Sequence, residues 1–500
     1  MNYRVISYIL GWVLSLEALF LSVSAAVGGL YGERTALSFL YAALICAALG
    51  IPAVVRKPRR MTFFMKEGFV TVALCWIVFS IFGALPFVFS GEIPHFTDAL
   101  FETVSGFTTT GASVVSDVEA LSHCTLFWRS FTHWIGGMGV LVFLLAILPL
   151  AGGSQMYLMQ AESPGPSVGK LVPKTRHTAL ILYALYILLS VVEFILLLCG
   201  GMSAFDAVNT TFATAGTGGF GIRNSSMADF SPYIQWVVAV FMMLFGINFN
   251  LYFLVLIGRG RQALRSEELR TYLGVIAAAT LCIVLNTRTA GMRLGDTVRH
   301  AFFQVSSIIT TTGFATCDFD LWPSLSKCVL VLLMLVGACA GSTGGGIKVS
   351  RLLIAGKTVV KELRSYIHPK IITKVKMDGK PIEHEVVRAT NVYVMTFVVI
   401  FTASVFAVSF EGHDLVTNFT AVAATINNIG PGLSLVGPAA NFNFFSPISK
   451  YVLMFDMLAG RLELFPLLIL FHPTIWRELF AHKAQERRAA RERRKERKQR

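Results

Sequence analysis

Long apolar runs and short polar interruptions alternate along this chain from one end to the other. Ile181 to Leu198 carries a single charge, Glu193, and Val140 to Leu150, Val329 to Val336 and Val392 to Phe406 repeat the pattern, the shorter runs being extended by uncharged neighbours. A bilayer core takes about 20 apolar residues as a helix, so these runs predict membrane-spanning helices. Basic residues collect between them: Arg56, Lys57, Arg59, Arg60 and Lys66; Lys170, Lys174 and Arg176; Arg259, Arg261, Arg265 and Arg270; and a longer cluster from Lys348 through Lys380 to Arg388. The positive-inside rule places these segments in the cytoplasm.

The basic clusters divide the chain into blocks. Residues 1–60 hold two apolar spans around the polar turn Gly32, Glu33, Arg34; four longer blocks follow at 61–170, 171–265, 266–380 and 381–480, and 481–500 is a basic tail. Each long block has an apolar span, a short segment rich in Thr, Gly or Asn, and a second apolar span. In register, the short segments run from Ala99 to Gly111, from Ala207 to Gly219 and from Ala301 to Gly313, twelve steps each. Thr109, Thr217 and Thr311 stand two before the Gly, with Thr110, Gly218 and Thr312 between. The fourth block offers Asn428, Ile429, Gly430, Pro431 and Gly432, and either Gly430 or Gly432 can take the matching place. Aligning Gly430 sets Phe419 against Leu100 and Phe302, which favours it slightly. Internal repeats of this kind mean one structural unit used several times.

The first eight to ten residues of each segment predict a helix about 15 Å long at 1.5 Å per residue, half the bilayer core of about 30 Å. A half-helix followed by Thr-Gly backbone is a re-entrant loop, which is tolerated at that depth only where it is buried in protein or lines a watery cavity. The fold expected is an all-α polytopic membrane protein, with four helix–pore-loop–helix repeats around one pore and two extra N-terminal transmembrane helices.

Composition agrees. The 500 residues are 54% hydrophobic and 14% charged, against about a quarter charged in soluble domains, so lipid is the main solvent. The net charge is +14, and the basic tail after Trp476 is assigned to topology or anionic lipid rather than nucleic acid. The eight cysteines are scattered singly, with no CxxC pair, which suggests neither a zinc site nor a disulfide framework. Glu17 and Trp12 within the first apolar stretch argue for a retained span over a cleaved signal.

The repeated Thr and Gly suit a dehydrated monovalent cation, which needs oxygens to replace its water shell. Rings of backbone carbonyls supply them in potassium-channel filters. Glycine allows the backbone angles that turn successive carbonyls to one side, and a re-entrant helix directs its partly negative C-terminus at the cation. An enzyme is not indicated: the chain has no HExxH, no paired intramembrane aspartates and no nucleophile motif.

The segments FTTTGAS, TGGF, TTTGF and INNIGPGL resemble the filters of the Trk/Ktr/HKT potassium-transporter superfamily, most closely its bacterial Trk branch, over nearly the whole chain. The resemblance implies potassium uptake across the cell inner membrane, with both termini cytoplasmic and no cofactor besides the transported ion. It also implies a homodimer holding two separate pores and a cytosolic ring of nucleotide-binding subunits on the basic face. In this superfamily Gly at the first filter position goes with potassium and Ser with sodium, and Gly111 fits potassium. A sodium-permeable or sodium-coupled relative is the alternative.

Two further features concern gating. The stretch from Gly337 to Lys348, containing Gly341, Gly344, Gly345 and Gly346, interrupts a span. It superficially resembles a phosphate-binding loop but has Ile347 before the Lys and Val349 after it, which argues against that chemistry. So much glycine makes a poor helix and predicts a break below the filter; the resemblance makes this break the gate. Arg461, between Asp456 and Glu463 in the last apolar span, is an ionisable residue at depth and so a functional candidate. An ion pair with either acid is the plainer alternative, whereas the resemblance makes Arg461 a barrier in the pore.

Overall fold

A computed structural model describes residues 3–58, 65–139, 175–288, 293–370, 374–474 and 477. The run Val140 to Leu150, Lys170, Lys174 and the tail 481–500 lie outside the described residues. Six described helices are long and apolar enough to cross a bilayer: Arg4–Leu30, Ala36–Val55, Met65–Ser90, Ala179–Cys199, Glu267–Thr287 and His384–Glu411. Large apolar side chains stand exposed on their outer faces, among them Leu281, Val399 and Phe406, as a lipid-facing surface requires. The two N-terminal helices form one apolar core with Met65–Gly83 through Val13, Leu21, Phe39, Trp76 and Phe79.

Four shorter helices do not span: Phe96–Phe107, Ala204–Ala215, Leu294–Ile309 and Leu415–Ile426. They have 12, 12, 16 and 12 residues, longer than the eight to ten expected. Residues upstream of the repeated Ala, among them Asp98, Asp206 and Asp296, continue each helix at its N-terminus, which the Ala-to-Gly register does not count. Side chains start some of them: Ser203 accepts from the Asp206 amide at 3.1 Å and Asp414 from the Thr417 amide at 3.0 Å, satisfying donors that a helix N-terminus leaves unpaired.

The second spans of the last three blocks are shorter or more broken than expected. His123–Met138 is described for 16 residues, and Pro232–Phe245 turns through 91° into Phe249–Leu256. Ser324–Val336 ends at Gly337, and Pro447–Arg461 ends at Arg461, where Glu463 and Leu464 take φ of 52° and 69°. Arg461 is thus the last residue of a helix, placed at a break rather than inside a continuous span.

Candidate functional site

The four short helices end in the same way. In each, the residue two before the repeated Gly has a left-handed backbone: Thr109 (φ 55°), Thr217 (54°), Thr311 (59°) and Asn428 (57°). The amide after it reaches back five residues, Thr110 to Ser105, Gly218 to Ala213, Thr312 to Ser307 and Ile429 to Ala424, at 2.8–2.9 Å. A second bond runs from each left-handed residue to the carbonyl three back, at 2.9–3.1 Å. Both bonds together are the Schellman motif. Glycine normally holds its left-handed position; a β-branched threonine there is an outlier of the kind found at functional sites. Asn tolerates that conformation better, which explains how the fourth repeat does without the threonine.

The glycines then close a ring. Gly111, Gly219, Gly313 and Gly430 have φ of 79°, 77°, 88° and 99°. A Cβ on Gly111 would stand 2.0 Å from the Gly218 carbonyl oxygen, on Gly219 1.9 Å from that of Thr312, and on Gly313 2.1 Å from that of Ile429. On Gly430 it would stand 2.8 Å from that of Thr110, which returns the circuit to the first repeat. Each glycine therefore lies against the next repeat's carbonyl, and no side chain fits. Asn428 tightens the closure between fourth and first repeats, donating to Thr110 Oγ1 at 3.0 Å and to the Met457 carbonyl at 2.9 Å. Gly430, not Gly432, has the ring geometry: Gly432 packs on Thr420 and Val436 of its own repeat. Pro431 lies against Gly313.

The hydroxyls within the ring are engaged. Thr110 pairs with Thr108 and Thr312 with Thr310, each at 2.8 Å between Oγ1 atoms. Thr217 donates to the Gly216 carbonyl at 2.6 Å.

The glycine-rich break lies directly against this ring. The Gly345 amide donates to Thr311 Oγ1 at 2.6 Å, and a Cβ on Gly345 would stand 2.4 Å from the Asn427 carbonyl oxygen. Gly344 lies beside Ala338 and the Thr310 carbonyl. The break is tied to its surroundings through backbone: the Phe249 amide donates to the Gly341 carbonyl at 3.0 Å and the Cys339 amide to that of Gly246 at 3.1 Å. Gly341, Gly346 and Lys348 have φ of 71°, 78° and 80°, so the chain here cannot be helical. Lys348 is buried and its ammonium donates to the Gly344 carbonyl. Glu268 accepts from the Ala340 amide at 2.7 Å and the Ser350 amide at 3.2 Å, fastening both ends of the break to one carboxylate.

Arg461 joins three parts of the site. Its guanidinium donates to Thr109 Oγ1 at 3.2 Å, to the Thr343 carbonyl at 3.0 Å, to the Gly137 carbonyl at 2.8 Å and to the Gly136 carbonyl. The acids near it in sequence are engaged elsewhere: Glu463 pairs with Arg351, and Asp456 accepts from Ser404 Oγ at 2.7 Å.

Sequence reasoning found the ring and the break but missed Glu102, Arg129 and His133. Glu102 and Arg129 form a buried ion pair at 2.7 Å behind the first ring segment. His133 bridges the first and second segments. A charge in the short pore segment, Glu102, and one in the following helix, Arg129, were the available signal for the ion pair; His133 offered no spacing that would single it out.

Comparison with known proteins identifies the family. Residues 36–478 match the family model described as TrkH, cation transport protein. The Trk system potassium uptake protein TrkH of Escherichia coli K12 is 37% identical over 488 residues, covering 96% of this chain and 100% of that one. TrkG of the same organism, also a Trk system potassium uptake protein, is 33% identical, covering 95% of this chain and 99% of that one. The crystal structure of the potassium transporter TrkH from Vibrio parahaemolyticus superposes with a TM-score of 0.85 at 32% identity, covering 95% of this chain and 100% of that chain. With its repeats, its helical architecture and its nearly full-length relatives in accord, this chain belongs to the TrkH family of cation transport proteins.

Proposed function

We propose that this protein takes up potassium down its electrochemical gradient, through a filter formed by the ring and under a gate formed by the Gly337–Lys348 break and Arg461. The reading draws on the names of its relatives, potassium uptake proteins and not enzymes. The observation that carries it is the closed circuit of Gly111, Gly219, Gly313 and Gly430, each against a carbonyl of the next repeat. Backbone oxygens around these glycines, from Thr109 to Gly111, Thr217 to Gly219, Thr311 to Gly313 and Asn428 to Gly430, replace the hydration shell of the ion. A carbonyl ring of this type selects without any charged side chain. The four helix C-termini add partial negative charge at the same place.

The break and Arg461 sit where they can block an ion that has left the ring. A guanidinium about 6 Å from a potassium ion repels it by about 3 kcal/mol at an effective dielectric near 20. The carbonyls of Thr343, Gly136 and Gly137 hold that guanidinium in place. Opening then requires the Gly345–Thr311 and Arg461–Thr343 bonds to part.

The remaining assignments belong to the same reading. The membrane is the cell inner membrane, and the basic segments and both termini face the cytoplasm. The units are the N-terminal pair 1–60 and the four repeats 61–170, 171–265, 266–380 and 381–480. Two copies assemble as a homodimer with one pore each, and a cytosolic nucleotide-binding ring docks on the basic face, where Arg364 and Lys370 are exposed.

Expression in a cell lacking its own potassium uptake systems tests the function. Growth at low potassium should return, with rubidium influx and little sodium influx. Sodium influx equal to rubidium influx would overturn the potassium reading.

A further inference from the structure

The second ring segment lacks the side chains that brace the first and third. Where those repeats pair Thr108 with Thr110 and Thr310 with Thr312, the second has Gly216 and Gly218. Gly218 has no positive φ that would demand glycine. Its side-chain space is taken by an imidazole: a Cβ on Gly218 would stand 2.3 Å from Cγ and Nδ1 of His133 and 2.6 Å from its Cδ2.

His133 belongs to the first repeat, on helix His123–Met138, and is fully buried. Its Nδ1 lies 2.7 Å from the Gly106 carbonyl oxygen, near the end of the first pore helix. A carbonyl only accepts, so Nδ1 carries the proton. Nε2 is then the acceptor, and the Phe220 amide donates to it at 3.2 Å. Phe220 directly follows the ring residue Gly219. The two rings also pack together, with centroids 4.3 Å apart. One turn earlier on the same helix, Arg129 stands 4.2 Å from the Phe220 ring centroid and donates to the Gly221 carbonyl at 3.3 Å. The stretch from Gly218 to Gly221 is therefore held by the helix of the neighbouring repeat.

We infer that His133, as the neutral Nδ1–H imidazole, is a positioning residue for ion selectivity: it bridges Gly106 and Phe220 and holds the second ring segment where threonine pairs hold the first and third. The consequence is local and steric. The Gly218 carbonyl that abuts Gly111 stands where the imidazole puts it, and Gly218 must be glycine because the imidazole is there. The inference rests on the reading of the ring as the potassium filter.

The test uses the full-length protein in liposomes, with the potassium-over-sodium permeability ratio taken from the reversal potential under a bi-ionic gradient. His133→Ala removes the bridge, and His133→Phe fills the same space without either hydrogen bond. Both should lower the ratio at least fivefold while leaving a conducting protein. Gly218→Thr should be severely defective alone, but should add little further loss in the His133→Ala background, where the colliding ring is gone; this non-additivity reports the direct contact. A ratio within twofold of wild type in His133→Phe would overturn the inference. So would loss of folded protein in both His133 variants, which would assign the residue to assembly alone. Gly111→Ser, measured in parallel, separates the two levels. If it changes the ratio and the His133 variants do not, only the positioning role fails; if none changes it, the ring is not the filter.

Discussion

Arg461 and Thr109, 352 positions apart in the chain, meet side chain to side chain, the guanidinium donating to the hydroxyl at 3.2 Å. Thr109 holds the left-handed turn of the first ring segment. Its counterpart in the third repeat, Thr311, accepts instead from the Gly345 amide at 2.6 Å. Two equivalent hydroxyls of the ring are thus used to fasten the two parts of the proposed gate.

Arg461→Ala should raise conduction. The repulsion of about 3 kcal/mol at an effective dielectric near 20 corresponds to roughly two orders of magnitude in rate, reduced by water in the cavity. Arg461→Lys keeps the charge and should keep most of the barrier. Flux normalised to correctly folded protein is the measurement; a well-folded Arg461→Ala protein with no gain counts against the barrier.

Gly345→Ala probes the break. Its Cβ would enter the space of the Asn427 carbonyl, 2.4 Å away, so backbone must shift. The break should disengage from Thr311, raising basal flux several-fold with an unchanged potassium-over-sodium ratio. A change in the ratio without a change in flux would make Gly345 part of the ring's support instead.

Much of this site is legible in the sequence, and the exceptions have physical causes. Three ring segments align because a threonine in a left-handed turn and a following glycine recur at fixed spacing. The fourth left Gly430 and Gly432 open because its turn uses Asn428, whose backbone tolerance does the same work without matching the letter. The pore helices are longer than the repeat register predicts because a register marks where side chains recur, not where hydrogen bonding begins. The bend between Phe245 and Phe249 has local markers in Gly246, which caps one helix, and Asn248, whose side chain caps the next; the helix ending at Arg461 is followed by left-handed Glu463 and Leu464, residue types that do not announce such a turn. His133 was illegible for a similar reason: its role lies in the missing side chain of Gly218, 85 positions away by the numbering, and no local pattern connects them.

The Arg351–Glu463 pair should matter for assembly more than for conduction. Both side chains are largely buried, at 6% and 11% exposure, and Arg351 also stacks on Tyr393 at 4.0 Å. Arg351→Ala leaves the Glu463 carboxylate without that partner, a loss of about 3–5 kcal/mol for a broken buried pair. The melting temperature in detergent should fall clearly. Replacing both residues together, Arg351→Met with Glu463→Gln, should recover much of the loss. Equal melting of Arg351→Ala and wild type would show that the pair contributes nothing to stability.

The central claim is that the ring of Gly111, Gly219, Gly313 and Gly430 selects potassium, and Gly111→Ser tests it most directly. The serine Cβ must displace the Gly218 carbonyl, 2.0 Å from its ideal position, on a backbone with φ of 79° that disfavours any side chain. The reversal potential of purified protein under a potassium–sodium gradient is the measurement. The wild type should sit near the potassium equilibrium potential, and Gly111→Ser should move toward zero by the equivalent of at least a tenfold fall in permeability ratio. An unchanged reversal potential in a Gly111→Ser protein that still conducts would contradict the account.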